Sequence, residues 1–425
     1  MDLYNIISFV IILATLFAII NQRWFKLPNN IGVMLIAIVI SVAIILINYS
    51  YPGFTKTVKF INDVDFSQLL IDVLLNFLLF AGTIQLRIKD LRKQQLPILL
   101  FATMGVIISA FVIAFLLYFS SGWIGIHIPF ADWLLFGALI SPTDPVSVLG
   151  LTKKIDIPKS LETKIAGEAL FNDGIALVLF VSILRAIHNP DEAVSMTEIM
   201  KVFFIEVLGA VVTGIVLGLI ALRVLAKTPD PKIHVMFTLA MVMGGRLLAT
   251  WLHISAPLMM VTAGIFLGNY GKKYAMHEDT VAYLDTFWEV IDEILNVILF
   301  ALIGFQLLFI KNYDQYWKAG LLVIAVVLLA RFISILVPSL IVRLKQKMPM
   351  RVILFLTWGG LRGGISIALA LTLSNRLHKD LFVFITYCVV VFSVVIQGLT
   401  LERFFLRSKP GKTPVIEESN VGDEK

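Results

Sequence analysis

Apolar residues fill this chain in long blocks from Leu3 to Leu401, separated by short polar clusters. Many blocks reach the roughly 17 to 25 residues that carry a helix across a bilayer. Short segments of strict apolar and polar alternation, the mark of a membrane barrel, are absent. The pattern predicts thirteen helical spans, at 3–20, 31–48, 69–86, 97–119, 132–150, 162–184, 202–222, 233–250, 254–270, 287–309, 317–341, 352–373 and 381–401.

Composition agrees with that pattern. Of the 425 residues 59% are hydrophobic and 15% charged, with a mean hydropathy of +0.91. A soluble protein carries about 25% charged residues, so the expected solvent is lipid and the expected fold is an all-α polytopic membrane protein. The first twenty residues lack a basic start and a small-residue cleavage site, and read as a retained first span.

A net charge of +6 would suit a nucleic-acid binder, but the placement of the basic residues excludes that reading. Alternate loops hold 24 of the 35 Lys and Arg residues, the opposite loops hold 8, and Arg246, Arg331 and Arg362 fall inside spans. Basic loops stay in the cytoplasm. The bias therefore puts the amino terminus outside, the carboxyl terminus in the cytoplasm, and the chain in a cell inner or plasma membrane. The segment 408–425 is polar, has no period, and reads as a disordered cytoplasmic tail.

No nucleotide loop, zinc helix or serine elbow occurs, and the single Cys388 lies in an apolar run. The expectation is a chain with no cofactor and no enzymatic activity, its function carried by polar residues within the membrane. Charge there is costly and marks functional candidates.

Three stretches concentrate such residues. In "LISPTDPVSVLG", 139–150, Pro142 and Pro145 each remove a backbone donor and break the helix around Thr143 and Asp144. Broken helices at membrane depth line cavities and hold cations, although a plain helix end near Lys153 would give the same letters. In "GEALFNDGIALVLF", 167–180, Glu168 and Asn172 share one helix face and Asp173 lies about 100° further round, beside Ala169 and Ala176. In "TWGGLRGGISIALALTL", 357–373, Arg362 sits among Gly359, Gly360, Gly363 and Gly364. That glycine density permits close packing or a second broken helix. An arginine keeps its proton, so Arg362 needs an anion, and Glu168 is the expected partner. Spans 5 and 12 are thus interrupted at corresponding places in two halves of the chain, the sign of inverted repeats.

Other polar residues leave alternatives open. Arg246 and Arg331 are structural, interfacial or on the ion path; Asp72 and Asn76 face a cavity or bond a neighbour; Gly214 and Gly218 read as packing, and His253 as an interfacial residue or a pH sensor.

"TDP" at 143–145, "GEALFND" at 167–173 and "GGLRGG" around Arg362 occur in an order that resembles the monovalent cation:proton antiporter family, within it the NhaP-type sodium/proton exchanger branch. The resemblance implies an NhaA-like antiporter fold, in which the two discontinuous helices, broken spans 5 and 12, cross, and a homodimer. It implies a core of spans 4–6 (97–184) and 11–13 (317–401), and a dimerisation domain of spans 1–3 (3–86) and 7–10 (202–309). It further implies a monovalent-cation site at Asp173 and Asp144 aided by Thr143, an Asn172 that supports the unwound segment, and a Glu168–Arg362 ion pair. An asparagine before the aspartate belongs to the branch of electroneutral one-for-one exchange, taking Na+ or Li+ against H+ in the service of pH homeostasis. Two positions depart from the family: Ala169 stands where relatives often have a serine, and Ala81 where a glutamate is frequent. Both losses leave K+/H+ antiport by the same architecture as the alternative, with a cation channel as a more distant one.

Overall fold

The computed structural model describes residues 3–50, 66–144, 157–188, 196–310, 313–344, 346 and 348–405, and among these the regular structure is helical. In hydrocarbon every backbone N–H and C=O needs an internal partner, which favours helices over any open strand. The helices in chain order are α1 (Leu3–Ile20) and α2 (Asn29–Ser50), then α3 (Leu69–Ile84) and α4 (Gln95–Ile124). Next come α5 (Phe130–Ile140), α6 (Lys159–His188), α7 (Met196–Leu225) and α8 (Pro231–Leu252). After these follow α9 (Ala256–Phe266), α10 (Glu278–Phe305) and α11 (Tyr313–Val342). The last are α12 (Met350–Trp358), α13 (Gly364–Thr372) and α14 (Lys379–Leu401). Among the described residues nine helices are long and apolar enough to cross a membrane, and α3 and α5 are shorter apolar helices.

Local sequence sets several of the boundaries. Asp230 accepts the Lys232 amide at 2.9 Å and Pro231 opens α8, so a capping carboxylate and a preset φ start that helix together. His253 ends it in the left-handed conformation at φ 55°, which turns the chain sharply into α9.

Two of the expected spans are not continuous helices. Span 5 is helical only to Ile140, and residues 141–144 are non-helical; Pro145 and the rest of that span lie outside the described residues. Span 12 is two helices, α12 and α13, separated by the non-helical segment 359–363.

Buried apolar side chains gather in separate clusters. The largest joins α4, α5 and α6 to α11 through α14, and takes in Ile31, Met34, Leu70 and Leu299 from α2, α3 and α10. A second joins α3 with α7 through α10, around Phe80, Met259 and Trp288. Buried residues make up 67% of the apolar segment of α14 but only 22% of that of α7, so α14 is central and α7 presents its apolar side chains to the surroundings. Gly214 and Gly218 on α7 abut Thr262 and Phe266 of α9, which is the packing role their spacing suggested.

Candidate ion-binding site

The two non-helical segments meet. The Asp144 amide donates to the Leu361 carbonyl at 2.7 Å, so each break gives the other a backbone partner in place of its own missing helical bonds. Close approach depends on glycine here: a Cβ on Gly363 would lie 2.7 Å from that of Asp144. At Gly360 the space that a side chain would take is occupied by the Arg331 guanidinium.

Asn172 locks α6 onto this junction. Its Nδ2 donates to Thr143 Oγ1 at 2.7 Å, and its Oδ1 accepts the Thr143 amide at 3.4 Å. Both residues are buried. An amide side chain suits the position because it donates and accepts at once, where a carboxylate only accepts.

The arginines differ from the expected pairing. Glu168 Oε1 lies 2.6 Å from Arg331 Nη1, with side-chain exposures of only 3% and 7%. Arg331 also donates to the Leu356 carbonyl, where α12 nears its end. The expected partner, Arg362, instead donates to the Ser141 and Pro142 carbonyls, and its own amide donates to Ser393 Oγ at 2.8 Å. The carbonyls beyond the last turn of α5 lack helical donors and carry the negative end of its dipole. Arg362 answers that partial charge. Arg331, whose role the sequence left open, takes the full carboxylate.

A cavity of about 670 Å³ reaches this junction, and Pro142, Thr143, Asp144, Asp173, Gly363 and Gly364 all line it. Asp173 is 4% exposed and forms no ion pair or hydrogen bond among the described residues. Glu168 and Asn172 do not line the cavity, nor do Ala169 and Ala81, which are buried elsewhere. Gly359 and Gly360 also stay outside it. Asp72 and Asn76 are likewise absent from its wall: Asp72 pairs with Arg246, and Asn76 donates to the Ile71 and Asp72 carbonyls.

The opposite wall comes from α10, which the sequence reading passed over. Glu289, Asp292, Glu293 and Asn296 line the cavity together. Their spacing of three and four residues in "EVIDEILN" puts them on one helical face, a signal that was present in the sequence. Leu70 and Leu299 also line the cavity, and with Ile303 they pack where a Gly364 side chain would stand. Two carboxylates at the junction and three on the facing helix give a cation-attracting chamber.

A family model described as sodium/hydrogen exchanger, transmembrane, matches residues 11–407. The chain is 42% identical to the Na+/H+ antiporter NhaP of Pseudomonas aeruginosa over 96% of its own length and 97% of the relative's. It is 30% identical to the Na+/H+ antiporter NhaH of Halobacillus dabanensis over 89% of its length and 91% of the relative's. Its fold is similar to that of the sodium proton antiporter MjNhaP1 from Methanocaldococcus jannaschii at pH 8, with a TM-score of 0.72 at 19% identity, covering 95% of this chain and 97% of the other.

Proposed function

The chain belongs to the sodium/hydrogen exchanger family, and from that premise we propose that it is a secondary antiporter exchanging Na+, or Li+, for protons at Asp173 and Asp144. The observation that carries this reading is a buried Asp173 that lines a cavity with Asp144 and has no protein cation paired with it among the described residues. Such a carboxylate is neutralised either by a bound cation or by a proton, and each load displaces the other. The Thr143 backbone and hydroxyl, fixed by Asn172, hold the unwound segment in shape around the ion. Exchange is one for one and electroneutral, because a single shared charge accepts one load at a time. In the cell such exchange serves pH homeostasis.

Alternating access follows from a core of 97–184 and 317–401 that moves against a scaffold of 3–86 and 202–309. The separate apolar clusters support that division, and family likeness supports a homodimer built on the scaffold. Arg87, Asp90, Lys159 and Glu162 line the cavity and belong to loops that the basic-residue bias assigns to the cytoplasm. That lining supports a reading in which the chamber opens to the cytoplasm, in a cell membrane, with the amino terminus outside. Leu70, Leu299 and Ile303 close the far side against Gly364.

K+/H+ exchange at the same site is the second reading, raised by the alanines at 81 and 169, although neither lines the cavity. A panel of Na+, Li+ and K+ in reconstituted vesicles, with proton movement read by a pH-sensitive dye, separates the two. Na+ and Li+ should drive proton efflux, with an apparent KM that rises as pH falls, and a clamped membrane potential should leave the rate unchanged. Proton movement driven by K+ alone assigns the potassium reading, and a rate that follows the potential rules out one-for-one exchange.

A further inference from the structure

Ser366 is the third residue of α13 and is 1% exposed, yet its hydroxyl has no hydrogen-bond partner among the described residues. Helical serines normally donate to the carbonyl four residues earlier. Ser182 and Ser339 do so here at 2.8 and 2.6 Å. For Ser366 that carbonyl belongs to Arg362, in the non-helical segment ahead of the helix, and the usual bond is not formed. A buried hydroxyl left unpaired is costly and calls for an explanation.

Its location supplies one. Ser366 lines the same cavity as Thr143, Asp144, Asp173 and Gly363. Side chains on a helix lean toward its amino-terminal end, which directs Ser366 back toward Gly363, where an added Cβ would meet the Asp144 side chain. Small cations are held by several oxygens, and a hydroxyl adds one without adding charge to a site that already has two carboxylates.

We propose that Ser366 is a ligand of the transported cation, its hydroxyl oxygen completing the site formed by Asp173 and Asp144. This rests on the assignment of those two carboxylates as the exchange site. Ser366 thereby contributes to ion preference from the half-helix that follows the second break.

The test compares wild type, Ser366→Ala, Ser366→Thr, Ser366→Cys and Asp173→Asn in reconstituted vesicles, with proton movement driven by Na+, Li+ and Tl+. Ser366→Ala should raise the Na+ KM about tenfold, a loss of 1.4 kcal/mol in cation binding, with a much smaller change in maximal rate. Ser366→Thr, which keeps the hydroxyl, should restore the wild-type KM. Ser366→Cys places a soft sulfur at the ion and should shift preference from Na+ toward Tl+. An unchanged KM in Ser366→Ala, or in the event of poor folding an unchanged Na+ to Tl+ ratio in Ser366→Cys, overturns the proposal. Asp173→Asn keeps the two questions apart: if it still exchanges, the shared-carboxylate reading fails, whereas an inactive Asp173→Asn beside an unaltered Ser366→Ala removes only the serine.

Discussion

Glu168 and Asp173 stand five residues apart on α6, about 140° around the helix, and both are buried. Glu168 is held by Arg331 at 2.6 Å, away from the cavity. Asp173 opens onto the cavity and has no ion-pair partner among the described residues. The same chemical group is therefore a structural brace on one face and, on the other, a charge left for a mobile load. Burial alone does not separate the two cases; the presence of a fixed counter-charge does. A third carboxylate extends the series, since Asp72 pairs with Arg246 at side-chain exposures of 35% and 29%.

Several substitutions break or sharpen this contrast. The largest effect on transport is expected at Asp173→Asn, which should abolish cation-driven proton movement while the melting temperature in detergent stays close to that of wild type. A melting temperature that collapses with the activity would make Asp173 a brace like Glu168. The largest effect on stability is expected at Glu168→Gln, which strands Arg331 without its anion and should cost about 3 to 5 kcal/mol. Replacing both partners, with Arg331→Met added, should recover most of that loss in chemical unfolding. A double variant no better than the single one would show that the pair does more than balance charge.

A smaller loss is expected at Asn172→Ala. Removing its two bonds to Thr143 leaves a buried amide and hydroxyl short of partners, a cost of about 1 to 3 kcal/mol, and should slow exchange by loosening the unwound segment. Wild-type rates in a stably folded Asn172→Ala would detach that clamp from ion handling. The smallest effect is expected at Asp72→Asn, because partly solvated pairs contribute about 0 to 1 kcal/mol. Its exchange rate should be unaltered, and a stability loss as large as that of Glu168→Gln would erase the distinction between the two pairs.

Much of the architecture was legible along the chain, for a reason rooted in the solvent. Lipid cannot satisfy backbone polar groups, so spanning helices must be continuous and apolar, and their breaks stand out as Pro142 and Gly359 to Gly364 do. The crossing of the breaks came with the family resemblance, but the Asp144 to Leu361 hydrogen bond that joins them was not foreseeable. Sequence reasoning placed a counter-ion beside Glu168 and chose Arg362 over Arg331. Both arginines are intramembrane and remote in sequence, and nothing in the local pattern ranks one above the other. The acidic wall of α10 was missed for a different reason. Its spacing was readable, but "EVIDEILN" lies near the expected start of span 10, where charged residues resemble an ordinary helix end.

By itself, then, the amino-acid sequence determined the solvent, the helical class, the two breaks and the set of charges that had to be accommodated within the membrane. These follow from local rules: hydropathy over a helical length, proline chemistry, and the cost of charge in hydrocarbon. Only the tertiary structure decided which charges cancel one another and which remain to meet a ligand. That outcome depends on distances of a few ångströms between helices far apart in the chain, where a shift of one helical face moves a carboxylate from an arginine to an open cavity. Arg331 on Glu168, Arg362 on the α5 carbonyls and Asp173 in the chamber are the three results of that geometry.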